Sequence, residues 1–372
     1  MHNLDWFVLI FTLIIIVVYG TWKTRGAKTA NEYIKAGNEA KWWTIGLSVM
    51  ATQASAITFL STPGQAYNDG LGFVQFYFGL PIAIVLVCTI FIPVYHKLKV
   101  YTAYEFLESR FDLKTRSLTA LLFLIQRSLS ASITIFAPAI ILSTVLGWDL
   151  ITTNIIIGTL VIIYTVTGGT KAVNFTQKYQ MGIILIGLVI VLFTIFNLLP
   201  DDIDFNNAVK IASANSKMDV LNFSFDLDNR YTVWSGIIGG TFLMMSYFGT
   251  DQSQVQRYLS GKSLKEMQLG MIFNGIFKIP MQFFILFIGV MVFVFYQFNP
   301  SPLNFNPQGK IIISNTNYEN EYIQLEENLE NNFKEKTYIL NDVLSQDKMV
   351  VKGKIDKLNF EEKKIRDRAK LL

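Results

Sequence analysis

The chain has 372 residues, 51% of them hydrophobic and only 16% charged, with a formal net charge of +4 and a mean hydropathy of +0.37. Apolar content this high exceeds that of a soluble domain of the same length and marks an integral membrane protein. The single Cys88 excludes a disulfide framework and a cysteine zinc site. The two histidines, His2 at the terminus and His96 in a basic patch, offer no triad or metalloenzyme centre. No enzyme, organic cofactor or nucleic-acid partner is expected, since no catalytic constellation and no nucleotide or DNA-binding signature appears.

A spanning helix takes about 20 mostly apolar residues. Eight stretches qualify: Leu4 to Trp22, Trp42 to Tyr67, Phe73 to Tyr95, Leu118 to Leu146, Ile151 to Thr167, Tyr179 to Leu199, Thr232 to Ser253 and Gln268 to Phe298. The first is a span and not a signal peptide, because Asp5 stands where a basic region should be and no small-residue cleavage site follows. The second differs from the rest: its middle reads ATQASAITFLSTPGQ, dense in small and hydroxyl residues where lipid favours leucine. Irregular backbone survives in hydrocarbon only inside a bundle or beside a water-filled cavity, so this segment is expected to line a solute or ion path. Pro63 and Gly64 are expected to break its outer end.

Lysine and arginine orient the spans. The connection after the first carries Lys23, Arg25, Lys28, Lys35 and Lys41, and that after the third carries Lys97, Lys99, Arg110, Lys114 and Arg116. Lys171 and Lys178, then Arg257, Lys262 and Lys265, continue the same face, whereas Asp69, Asp149 and the aspartates between Pro200 and Arg230 mark the other. This distribution implies eight crossings of the plasma (inner) membrane with the N-terminus outside. Gly168 and Gly169 are expected to end a helix at the inner face, as a simple turn or in a direct role. Gln252, Gln254, Gln256 and Arg257 are expected to end another there, as anchors or as solute contacts.

From about Lys310 to Leu372 the composition turns to Glu, Asp, Lys, Arg and Asn with scattered leucines. Residues 1–300 thus read as a membrane domain and 301–372 as an arm, predicted outside. Two readings of the arm stand open: a solvated, partly disordered segment, or an amphipathic helix carried by Tyr322, Leu325, Leu329 and Phe333 at helical spacing.

Three segments carry a resemblance: NEYIKAGNEAKWWTIGLSVMATQASAITFLSTPGQAY from Asn31 to Tyr67, YTVTGGTKAVNFTQKYQMGIILIG from Tyr164 to Gly187, and GTDQSQVQRYLSGKS from Gly249 to Ser263. In this order and at these spacings they resemble the sodium:solute symporter family. The resemblance implies an all-α membrane fold of the LeuT type, with one extra helix and then inverted repeats of five, each opened by a helix broken at the bilayer midplane. Here Trp42 to Tyr67 opens the first repeat and Thr232 to Ser253 the second. The resemblance further implies that the chain is an N-terminal portion holding two of the second repeat's five helices, since the family has more helices beyond.

The implied function is sodium-coupled symport of a small solute. Sodium is a hard cation suited to carbonyl oxygens, and by resemblance Ala51 and Ala54 supply them. Gln53, Ser55, Thr58 and Ser61 are the side chains of the same helix that can reach solute or ion, although a Ser or Thr can instead bond its own i−4 carbonyl. Tyr247 and Phe248 match positions of solute-facing or gating aromatics, the alternative being core packing. Lys278, a cation in GIFKIPMQFF well inside the last span, must pair, snorkel or serve function. The family's TD pair reads Thr176-Gln177 here, which removes a carboxylate from the ion's exit path. The runner-up function is a transporter-like membrane sensor, which would need a signalling module the arm does not carry.

Overall fold

A computed structural model of the chain describes residues 3–23, 36–55, 57–226, 228–304, 310, 313–314, 316–343 and 348–372. His2, Arg25, Lys28 and Lys35, and the start of the first motif at Asn31, lie outside them. Among the described residues the chain is helical, with one isolated bridge between Ala40 and Gly261.

Helix α1 spans Asn3–Lys23 and α2 spans Trp42–Gln53. The second apolar stretch is broken, as its composition implies, but at Ala54 and Ser55; a π-helical turn Ile57–Ser61 then leads into α3, Thr62–Asp69. Pro63 and Gly64 therefore lie inside a helix and do not end one, because proline fits the first turn, whose amide has no intrahelical acceptor. After a 3-10 stretch Gly70–Tyr77 come α4 at Leu80–Leu86, a π-helical turn Val87–Phe91, and α5 at Ile92–Leu98. Short α6 at Glu105–Arg110 precedes α7 at Leu113–Leu146, which Asp112 caps by accepting from the Thr115 N–H.

Helix α8 corrects the predicted pattern. It runs unbroken over Leu150–Asn197, 48 residues, straight through Gly168 and Gly169, so the reversal expected there does not occur. Glycine in a helix interior costs about 1 kcal/mol, less than leaving backbone groups unpaired in an apolar environment. Helix α9 covers Phe205–Ala214. The Thr232 to Ser253 stretch is divided into a π-helical turn Ser235–Gly239, α10 at Gly240–Gly249 and, beyond Thr250, a separate helix α11 at Gln252–Leu259. Gln252, Gln254, Gln256 and Arg257 thus form their own helix, N-capped by Asp251, and do not end the previous one. Helix α12 spans Leu264–Phe298, and the arm contributes α13, Glu319–Val343, and α14, Lys348–Ala369.

Four stretches are long and apolar enough to cross a membrane among the described residues: Ile57–Leu98, Leu113–Thr144, Tyr179–Asn197 and Leu264–Phe298. Within the first, Gly70 takes φ +77 where α3 gives way to the 3-10 stretch. Along α7 the leucines and isoleucines are outward, with Leu121 54% and Ile133 59% exposed, a surface that water does not tolerate over such a length but lipid does.

The chain divides into two compact units. One comprises Met1–Ser61, Val74–Gly187 and Leu221–Phe284. Its core joins Ile45 and Val49 of α2, Leu80 and Ile84 of α4, Phe248 of α10, Tyr258 of α11 and Met271 of α12. Backbones meet closely there: a Cβ on Gly79 would fall 2.1 Å from the Thr241 nitrogen.

The other unit comprises Thr62–Phe73, Leu188–Val220 and Ile285–Leu372. In it α13 and α14 bury Tyr322 and Leu329 together with Leu303 and Ile313, which selects the amphipathic helix over the disordered reading of residues 319–343. The buried Lys336 Nζ donates to Glu362 at 3.2 Å, and Arg366 donates to the same carboxylate at 3.0 Å and to the Pro302 carbonyl at 3.0 Å. Burial pushes the Glu362 carboxyl up, and the neighbouring Lys336 and Arg366 more than reverse this, holding it below its ordinary value.

Candidate functional site

The break after α2 is organised by its own side chains. Ala54 leaves the helix at φ −87 and ψ 70, and its N–H still donates to the carbonyls of Met50 (3.0 Å) and Ala51 (3.1 Å). Beyond it the Ser55 carbonyl accepts from the Thr58 N–H at 2.9 Å, and the Thr58 hydroxyl donates to the Gln53 carbonyl at 3.1 Å. The Ala51 carbonyl keeps a second lone pair, since each carbonyl offers two. The side-chain nitrogen of Gln53 is buried and makes no hydrogen bond among the described residues.

Helix α12 sets the level of Lys278 against this break. The Trp42 N–H donates to Glu266, and a Cβ on Gly46 would fall 3.0 Å from the Gly270 carbonyl, so α2 and α12 run parallel with an offset of about 224 residues, read from these two contacts. That register brings Gln53 level with Lys278. From the opposite direction Gln268 donates to the Cys88 carbonyl at 2.9 Å, and the Lys278 ammonium lies 5.9 Å from the ring centre of Tyr77. Lys278 is only 2% exposed. Asn274 and Gln282, one turn to either side on the same face, are fully buried, and among the described residues neither the oxygen nor the nitrogen of either amide has a partner. Buried polar groups are ordinarily paired, so the Asn274–Lys278–Gln282 stripe has hydrogen-bonding capacity to offer a ligand.

Toward the start of α2 lies a second polar line. The Ser48 hydroxyl donates to the Gln177 carbonyl oxygen at 3.1 Å, and the Gln177 amide donates to the Thr52 hydroxyl at 3.4 Å. Gln177 thus touches the broken helix within one turn of Ala51, whereas the buried Thr176 turns its hydroxyl to the Val173 carbonyl at 3.1 Å. On α10 the Tyr247 hydroxyl accepts from Gln254 at 2.7 Å; Phe248 is fully buried against Tyr247, ring centres 5.3 Å apart. Below them the break at Thr250 and Asp251 is closed by side chains: Tyr95 donates to the Gly249 carbonyl at 2.7 Å and Tyr104 to the Thr250 carbonyl at 3.2 Å.

Gln53, Ser48 and Thr52 of α2 are therefore placed with Lys278 of α12 and Gln177 of α8, while Phe248 sits in the core. Sequence reasoning passed over Asn274 and Gln282, whose i, i+4, i+8 spacing with Lys278 was the available signal. It also passed over Arg127, an arginine inside the fourth apolar stretch. Arg127 pairs with Asp251 and donates to Ser253 at 2.7 Å, tying α7 to the second break.

Residues 33–336 match the sodium:solute symporter family. This chain belongs to that family. Among sodium:solute symporters it is 31% identical over 297 residues to the human sodium/iodide cotransporter, covering 78% of this chain and 45% of that protein. It is 33% identical over 259 residues to human sodium-coupled monocarboxylate transporter 1, covering 70% and 42%. It is 31% identical over 309 residues to the sodium/sialic acid symporter SiaT of Proteus mirabilis, covering 82% and 62%. The chain spans about half the length of the curated relatives it matches. A solved structure of a Na+-coupled sialic acid symporter in a substrate-bound outward-open state superposes with a TM-score of 0.71 at 26% identity, covering 99% of this chain and 71% of that one.

Proposed function

We propose that this sodium:solute symporter chain builds the ion-binding and solute-facing part of a sodium-coupled secondary transporter for a small anionic solute. The observation that carries the reading is the helix break at Ala54 and Ser55, level with the buried Lys278 and its two unpartnered amides. Sodium is held by carbonyl oxygens of Ala51 and Ala54, an oxygen donor set of the kind a hard cation takes. Gln53, Ser55, Thr58 and Lys278 face the solute, Tyr247 gates it with Phe248 packed behind it in the core, and Thr176 and Gln177 line the ion's way out. With an amide in place of a carboxylate, Gln177 guides the ion by its dipole alone. An anion is favoured because a buried ammonium flanked by amide donors is complementary to negative charge, and the relatives are named for iodide, monocarboxylates and sialic acid.

Mechanistically, sodium orders the broken helix and favours the outward-open state, the solute binds the ordered site, and rocking of the helices releases both inward. The fold is read as a LeuT-type inverted repeat preceded by one extra helix, in a plasma membrane with the N-terminus outside. Uptake of labelled anions by cells carrying this protein, compared in sodium, potassium and choline media, tests the proposal. Uptake confined to sodium supports it; equal uptake in all three media removes sodium coupling.

A further inference from the structure

Arg127 lies inside the apolar span of α7, where a charged side chain is costly unless paired and marks a functional position. Its partner Asp251 stands at the second break, between α10 and α11. One guanidinium nitrogen meets both the Asp251 carboxylate and, at 2.7 Å, the Ser253 hydroxyl. The other oxygen of that carboxylate accepts from the Ser253 N–H at 2.8 Å and from the Ser253 hydroxyl at 2.6 Å, which caps α11. The same acid therefore starts α11 and binds it to α7.

A second contact lies one turn earlier on α7. The Phe123 ring is 5.5 Å from the ring of Tyr104, whose hydroxyl donates to the Thr250 carbonyl. The Arg127 guanidinium stands 5.9 Å from the same Phe123 ring centre, within cation–π reach. On the other side of the break, Gln254 in the first turn of α11 donates to the Tyr247 hydroxyl at 2.7 Å, and the neighbouring Val255 is fully buried in the core with Ile45 and Val49. The seat of that first turn thus sets the partner of Tyr247. A cavity of about 220 Å³, lined in part by Phe123, Tyr247 and Asp251, adjoins the pair.

With Tyr247 read as the gate, we propose that Arg127 and Asp251 form its latch. Paired, they hold the first turn of α11, and through Gln254 the Tyr247 hydroxyl, in the closed position. Parted, they free α11 to move and Tyr247 to leave Gln254, opening the way inward. Arg127 is then a positioning residue, which acts through α11 without touching ion or solute.

The test is alkylation of a cysteine placed at Val255 in the full chain carrying Cys88→Ser, in sodium-free membranes. R127Q and D251N should each raise the labelling rate about fivefold or more. The double variant should exceed neither, since both remove one contact, and R127K, which keeps a charged nitrogen for both partners, should label as the parent does. D251N retains a capping side chain, so it decides the matter if R127Q fails to fold. The latch also predicts that the sodium concentration halving the labelling rate is about fivefold or more higher in D251N than in the parent, because sodium must oppose a more populated open state. Three results overturn it: unchanged sodium-free rates in R127Q and D251N, a double variant whose increase is the product of the two, or equal half-concentrations of sodium in D251N and the parent. If sodium alters neither rate, sodium coupling fails, and the sodium-free comparison alone decides the latch.

Discussion

Helix α2 and helix α7 respond to their sequences in opposite ways. Helix α7 carries Pro138 in its interior and stays helical over 34 residues; α12 does the same through Pro280, and α8 through Gly168 and Gly169. Helix α2 stops at Gln53 before Ala54 and Ser55, neither of them a helix breaker by type. In an apolar surround the backbone has no acceptor but itself, so residues that break helices in water are absorbed. A helix opens where hydroxyl side chains take over its carbonyls, as Thr58 does for Gln53.

The sharpest way to break this contrast is to place proline on both sides of it. Ile125→Pro in α7 should cost about 3 kcal/mol or more, whereas Ser55→Pro, where the backbone has already left the helix, should cost less than about 1 kcal/mol; denaturation of both variants in the same micelles compares them. Next in size is the second break. Asp251→Ala leaves Arg127 unpaired beside Ser253 and should cost about 2 kcal/mol, a value discounted because the arginine side chain is 34% exposed.

Smaller again, Gly182→Ala in α8, where an added methyl meets open space, should stabilise by about 1 kcal/mol; a destabilised variant would contradict a regular helix there. Thr58→Val, which removes the hydroxyl bond to the Gln53 carbonyl, should cost about 1 kcal/mol and lower sodium response together. The least effect is confined to the arm. Glu362 is held below its ordinary value, so its contribution is present above the unfolded carboxylate range and is lost as pH falls through the folded value. Protease cleavage in α13 and α14 should therefore rise on acidification below about pH 4, and Glu362→Gln should flatten that rise.

What could be read in advance follows from which forces are local. Apolar runs predicted α1 to within a residue at each end, and the density of Ala, Ser and Thr predicted that the second stretch would break. Residue-type punctuation failed at Gly168 and Gly169, because breaker rules describe a backbone that can turn to water, and at Pro63, because proline fits the first turn of a helix. Lys278 was conspicuous as a lone cation in an apolar run, but its flanking amides gain meaning only from their burial, which depends on α2 and α4. The contact of Gln177 with Ser48 and Thr52 joins residues 129 and 125 positions apart, a pairing no local pattern contains.

The central claim is that the Ala54–Ser55 break is a sodium site, and site-directed alkylation tests it most directly. With Cys88 replaced by serine and Ser55 by cysteine, the labelling rate at residue 55 is compared in sodium, potassium and choline, in membranes carrying the protein. A sodium-specific change in rate is expected, and it should disappear when Thr58→Val removes the hydroxyl bond to the Gln53 carbonyl. Identical rates in all three cations would contradict it.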